Sequence, residues 1–148
     1  AERQQAWVAA QQQAVSAAGL VKPVEAPITS PFGYRSNPIG GYGELHDGTD
    51  FGAPCGTPVR AAATGTISQQ GWYGGFGNRV TLEHGSANGQ ALRTAYNHLS
   101  GYALSAGATV TQGQIIGYVG TTGWSTGCHL HFITWVDGAL VDPMSLLS

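Results

Sequence analysis

Apolar and polar positions alternate in short stretches along most of this chain, and glycine-rich turns separate the stretches. The clearest stretch is 129–136. Leu130, Phe132 and Val136 fall on one face, and His129, His131, Ile133 and Trp135 on the other, which is the two-residue period of a strand. Asp137-Gly138 follows as a two-residue hairpin signal, with 139–141 as the return strand. Residues 79–84 alternate with Val80 and Leu82 on one face, 85–89 reads as a turn, and 91–96 returns. Residues 57–67 predict one or two strands broken near Gly65, and 109–111 and 115–119 flank a Gln112-Gly113 turn. Only the start differs. Residues 6–18 are rich in Ala and Gln and lack Pro and Gly, which predicts a short helix ended by Gly19. Its stripe of Trp7, Ala10 and Ala14 is weak, as at the tail of a longer helix. Pro23 and Pro27 make 20–27 a linker. The expected organisation is therefore an N-terminal helix and linker over 1–27 and a β domain over 28–148. The fold class is all-β, an antiparallel sandwich or distorted barrel with a short N-terminal helix.

Composition narrows the partners. The chain has 148 residues, enough for one domain with its own core. Charged residues are 9%, against about 25% in typical soluble domains. Lys22 and a few scattered arginines build no basic patch, which argues against nucleic acid. No apolar run approaches the roughly 18 residues of a membrane span. The chain opens on Ala1 and its one methionine is Met144, so a segment upstream of Ala1 is expected; no signal peptide is visible.

The candidate chemistry lies in the histidines: His46, His84, His98, His129 and His131. His129 and His131, two apart on a strand, offer two imidazoles to one side. His46 and Asp50 are four apart, but Gly48, Gly52 and Pro54 disfavour the helix that would make this a two-residue helical metal motif. A tight, partly extended segment is expected instead. Four-residue spacing alone is weak evidence, and chance placement on a surface accounts for such a pair more often than not. Imidazoles and a carboxylate together suit zinc, whose catalytic sites use three protein ligands and leave one position open. His98 and the surplus histidine are then available for proton transfer. His84, at a strand end, fits no metal spacing.

These residues resemble the lysostaphin/LytM-type zinc metallopeptidases, which are murein endopeptidases. The resemblance covers about 29–143. It runs through Ser30-Pro31-Phe32-Gly33-Tyr34-Arg35 with Pro38, His46-Asp47-Gly48-Thr49-Asp50, Pro58-Val59-Arg60-Ala61, and Tyr96-Asn97-His98-Leu99-Ser100. It continues through Gly117-Tyr118-Val119-Gly120 and ends on Ser125-Thr126-Gly127-Cys128-His129-Leu130-His131-Phe132. It implies that His46, Asp50 and His131 bind Zn2+ and that His98 and His129 are the catalytic pair. The place of His129, two residues from His131 on the same strand face, makes it the expected base with His98 as its electrostatic partner, the alternative being that two coupled imidazoles share the roles. It also implies a secreted or cell-envelope enzyme of a bacterium that hydrolyses the stem peptides or cross-bridges of peptidoglycan, with cell-division proteins or other wall hydrolases as partners through the upstream region. Relatives of this kind cut either glycine bridges or direct D-alanyl links.

Two alternatives are weighed against it. A LytM-like regulator that activates another wall hydrolase is disfavoured, because no motif position is replaced. A lipoyl or biotinyl carrier, which 107–120 resembles, lacks an acceptor lysine. Trp72, Tyr73, Phe76 and Trp124 are expected to rim a peptide groove, and Tyr42 is a candidate oxyanion donor, with ordinary packing as the competing reading for each. Cys55 and Cys128 are not needed for the family chemistry. If the ligands converge as the resemblance implies, both cysteines flank them, and a disulfide is expected, with a Cys128 metal ligand as the minor alternative.

Overall fold

The computed structural model describes residues 19–36, 43–87 and 90–147. The predicted N-terminal helix over 6–18, and Tyr42, lie outside the described residues. Among the described residues, thirteen strands carry the fold. They are β1 (Ile28–Ser30), β2 (Gly33–Ser36), β3 (Gly43–His46), β4 (Thr49–Phe51), β5 (Pro58–Arg60), β6 (Gly65–Trp72) and β7 (Asn78–Ala87). The remainder are β8 (Gln90–Leu99), β9 (Gly101–Tyr102), β10 (Thr109–Val110), β11 (Ile115–Tyr118), β12 (Leu130–Val136) and β13 (Ala139–Val141). The main sheet runs β1-β4-β12-β8-β7-β6-β10, with β13 also on β12. A three-stranded sheet runs β5-β11-β9, and β2 pairs with β3. All these pairings are antiparallel.

The all-β expectation holds, and the alternation of β12 is what makes it work. Leu130 and Phe132 point into one apolar cluster with Val80, Leu82, Tyr96 and Ile67 of the main sheet and Val59 and Ile116 of the smaller one. The distorted barrel is not formed: among the described residues, the main sheet is open, ending on β1 and β10. These end strands are three and two residues long, and Pro27 and Pro31 flank β1. Edges this short, one of them bounded by prolines, offer too few donors to extend a ladder. Residues 20–24 also differ from a bare linker. Pro23 keeps them out of strands, yet Leu20 and Val24 are buried, and Val21 N–H donates to Ala62 O at 2.9 Å.

Two turns are placed differently from expectation. The Gln112-Gly113 turn forms, but β10 joins the main sheet and β11 the smaller one, so it links layers rather than a hairpin. The turn expected over 85–89 does not begin at Gly85. β7 continues to Ala87 through a register shift between Glu83 and Ser86. Gly85, at φ +77°, supplies the left-handed backbone such a bulge needs. The hairpin at Asp137 (φ +52°) and Gly138 (φ +80°) is as expected.

His84 belongs to this core and not to the site. It is 1% exposed. Its Nδ1 lies 2.9 Å from Thr64 O and its Nε2 2.7 Å from Thr94 Oγ1. Thr94 Oγ1 in turn is 2.9 Å from the Tyr96 hydroxyl, which accepts Ala62 N–H at 2.9 Å. Only one proton arrangement satisfies every member. Nδ1–H donates to the carbonyl, the Thr94 hydroxyl donates to Nε2, and the Tyr96 hydroxyl donates to Thr94. A second proton on His84 would make Thr94 Oγ1 an acceptor and leave either the Thr94 or the Tyr96 hydroxyl proton without an acceptor in this chain of bonds. Burial accordingly pushes His84 down to about 4, against a backbone bond that raises it. The unfolded chain therefore binds the extra proton between about pH 6.5 and 4, and stability falls as pH drops through that window. The expected loss is about 3 kcal/mol. It is read from urea unfolding of wild type and His84→Asn at pH 7 and pH 4. Parallel pH dependences in the two would rule this out.

Candidate active site

β3 ends at His46 and β4 begins at Thr49, so the chain breaks at Asp47-Gly48 between two sheets. This break, not a helix or a continuous strand, turns His46 and Asp50 toward each other. His46 Nε2 lies 3.3 Å from Asp50 Oδ2, and its Nδ1–H donates to Pro31 O at 2.9 Å. Asp50 pairs in register with His131 across the β4–β12 ladder. Asn97 of β8, opposite His131, donates its Nδ2–H to His131 O at 3.0 Å. One donor atom from each of His46, Asp50 and His131 fits within 4.8 Å of the others. The two imidazole rings are stacked 5.2 Å apart.

His98 and His129 stand beside this trio, 4.8 Å apart between ring centroids. Both are oriented through Nδ1 on a backbone carbonyl: His98 on Thr122 O at 2.6 Å, His129 on Gly127 O at 2.8 Å. His129 Nε2 is 3.7 Å from Asp50 Oδ1. His98 holds φ at +64°, a left-handed conformation uncommon outside glycine. Close approach of two loops fixes it. Thr122 Oγ1 donates to Leu99 O at 2.9 Å and accepts Asn78 N–H at 3.1 Å. Gly77 and Gly123 meet backbone to backbone where any Cβ would collide.

Burial penalises the Asp50 charge, but the bond from His46 and the charges of the imidazoles outweigh it, leaving the carboxyl below its ordinary range. Asp47 is held low in the same way, burial being outweighed by His131 and then His46. Burial, with the charges of His129 and His131, lowers His98 despite its backbone bond. Asp50 Oδ1 is buried and accepts no hydrogen bond among the described residues. An ionised, unsatisfied oxygen facing imidazole nitrogens calls for a cation.

All five histidine and aspartate positions expected at the site come together, and Cys128 does not join them. It forms a disulfide with Cys55, with Cα atoms 5.2 Å apart. Around the trio is a cleft of about 430 Å³ that Phe76 and Trp124 help to line. Trp124 is 90% exposed and sits over Gly75. Trp72 and Tyr73 border a separate shallow depression next to it. Two residues with no expected role also appear. Asp47 Oδ1 lies 2.9 Å from His131 Nε2. Arg79, 7% exposed, lies over Tyr73, Phe76 and Trp135 at 4.8, 4.5 and 5.3 Å, and Phe76 stacks on His131. A run of aromatics one to three residues apart around a lone arginine was the available signal for this layer.

An open antiparallel β fold carrying a His/Asp/His trio beside two further imidazoles has the build of a metal-dependent hydrolase. Residues 44–143 match the family described as peptidase family M23, and the chain belongs to that family. It is 49% identical over 119 residues to the DD-carboxypeptidase/endopeptidase Mpg of Neisseria meningitidis serogroup B, covering 80% of this chain and 26% of that protein. The structure is similar to a zinc-containing peptidase from Vibrio cholerae, with TM-score 0.78 and 35% identity over 85% of this chain and 39% of that one. It is also similar to the catalytic domain of the antimicrobial peptidase lysostaphin from Staphylococcus simulans, with TM-score 0.69 and 38% identity over 81% of this chain and 90% of that one. The chain spans about a quarter of the length of the curated relatives it matches.

Proposed function

We propose that this chain is the catalytic unit of a zinc-dependent endopeptidase that hydrolyses peptide cross-links of bacterial peptidoglycan, in the cell envelope or outside the cell. The observation that carries this reading is the pairing of a three-donor cluster, in which Asp50 Oδ1 is buried without a hydrogen bond among the described residues, with two histidines whose Nδ1 atoms are both committed to backbone carbonyls. The substrate class comes from the name of a relative, the peptidoglycan DD-endopeptidase ShyC of Vibrio cholerae. The disulfide fits an oxidising compartment.

His46, Asp50 and His131 would hold the ion. Bound there, zinc supplies Lewis acidity toward the scissile carbonyl and lowers the pKa of water. The remaining chemistry belongs to the histidine pair. With Nδ1–H donated outward, each neutral ring presents a bare Nε2 to the cleft and can accept a proton there. His129 takes the proton of the attacking water, since its imidazolium forms 3.7 Å from the Asp50 carboxylate, and returns it to the departing amine. His98, buried against Thr122, supports that charge transfer as its neighbour. Phe76 and Trp124 offer apolar wall for the peptide.

The test is digestion of purified peptidoglycan by the zinc-loaded chain, with metal content measured in parallel. Expected are one zinc per chain and fragments carrying new peptide amino and carboxyl ends with intact glycan strands. Zinc-loaded protein that releases no peptide-cleaved fragments would overturn the reading.

A further inference from the structure

The main chain at Asp47-Gly48 does more than turn His46 toward Asp50. It sets a second carboxylate against the far side of His131. Asp47 Oδ1 is 2.9 Å from His131 Nε2, a close ion-pair contact rather than an aligned hydrogen bond, since among the described residues that buried nitrogen has no hydrogen-bond partner. Gly48 makes the approach possible. A Cβ there would stand 2.8 Å from Nε2 and collide with Phe132 O. Stacking on Phe76 and on His46 confines the ring plane. With Nε2 enclosed by Asp47 and Gly48, Nδ1 is the nitrogen left to face His46 and Asp50.

We propose that Asp47 is the positioning residue of the metal site: its carboxylate draws the imidazole proton of His131 to Nε2, so that the Nδ1 lone pair is the one presented to the ion. A histidine that gives its outer N–H to a carboxylate is fixed in tautomer and orientation and becomes a more basic ligand. Asp47 thereby acts through His131 and touches neither substrate nor ion. The inference rests on the metal-binding part of the proposed function and not on its substrate.

The experiment compares wild type, Asp47→Ala and Asp47→Asn as full chains. Zinc affinity is measured by competition with a chromogenic chelator, and the imidazole 15N shifts of His131 are read in the metal-free protein. Removing such a carboxylate is expected to weaken zinc binding by about ten- to a hundred-fold. Asp47→Asn keeps a carbonyl oxygen that can accept Nε2–H, so it should recover most of that loss. Metal-free wild type should show the Nε2–H tautomer, and Asp47→Ala a mixture. Zinc affinity of Asp47→Ala within threefold of wild type overturns the proposal, as does an unchanged tautomer. Asp47→Asn as weak as Asp47→Ala also overturns it, because that pattern belongs to a direct ligand or a bare charge effect. If Asp47→Ala does not fold, Asp47→Asn decides the matter: near-wild-type affinity with the Nε2–H tautomer kept supports the role, and anything else overturns it. Zinc binding with this Asp47 dependence, by a chain that leaves peptidoglycan intact, sinks the proposed substrate and leaves this role standing. A wild-type chain that takes up no zinc overturns both.

Discussion

His129→Ala and His98→Ala should each retain zinc and lose turnover by about a hundred- to ten-thousand-fold, the usual range for removal of a general acid–base group. That corresponds to roughly 3 to 5.5 kcal/mol of barrier. Retention is expected because neither ring belongs to the three-donor cluster. Each is anchored independently, on Gly127 O and Thr122 O. The two rings are 4.8 Å apart, close enough that a charge on one bears on the other. The double variant should therefore fall little below the worse single one, as groups that act as a unit do. The measurement is release of new amino ends from peptidoglycan at fixed zinc occupancy. Near-wild-type rates in both single variants would remove the pair from the chemistry. Metal loss in either would make that residue a ligand.

The ligand candidates were legible because the signals that carry them are local. Alternation leading into β12 places His129, just before the strand, and His131 on one side whatever the rest of the fold does, and the apolar partners Leu130 and Phe132 fix which side is core. The link from His46 to Asp50 was legible only through the family resemblance. In the structure the two residues sit on strands of different sheets, joined by a break that spacing does not reveal. The same break explains why Asp47 went unread. On a continuous strand, adjacent side chains point to opposite faces, so on that reading a carboxylate next to His46 points away from the site. Sheet closure was not legible either, since it depends on whether β1 and β10 meet, and no local pattern in strands this short reports on that. The left-handed backbone of His98 is likewise invisible in its residue type. It comes from the Thr122 loop, more than twenty residues away.

Those two kinds of information meet at the disulfide. Cys55 lies beyond β4 and Cys128 just before β12, so the bond joins the segments that lead from Asp50 and to His131. The β4–β12 ladder already sets those ligands side by side, with Asp50 opposite His131. The loop around Cys55 is laced independently by Gly56 N–H to Val119 O and Val119 N–H to Thr57 O, both 2.8 Å. The folded arrangement therefore does not depend on the bond, and its main effect falls on the unfolded chain, where it closes a loop of 73 residues. Chain entropy gives roughly 4 kcal/mol for a loop of that length, with native-state effects moving the value either way. Against total stabilities of about 5–15 kcal/mol, this is a large share. Cys55→Ser/Cys128→Ser, or the reduced wild type, should therefore unfold at much lower urea while binding zinc and cleaving peptidoglycan nearly normally wherever it is folded. Unfolding midpoints at saturating zinc, with and without reductant, supply the measurement. An unchanged midpoint would remove the bond from the stability of the fold. A loss of zinc affinity at full folding would show instead that the bond holds the ligands, and that the ladder alone does not.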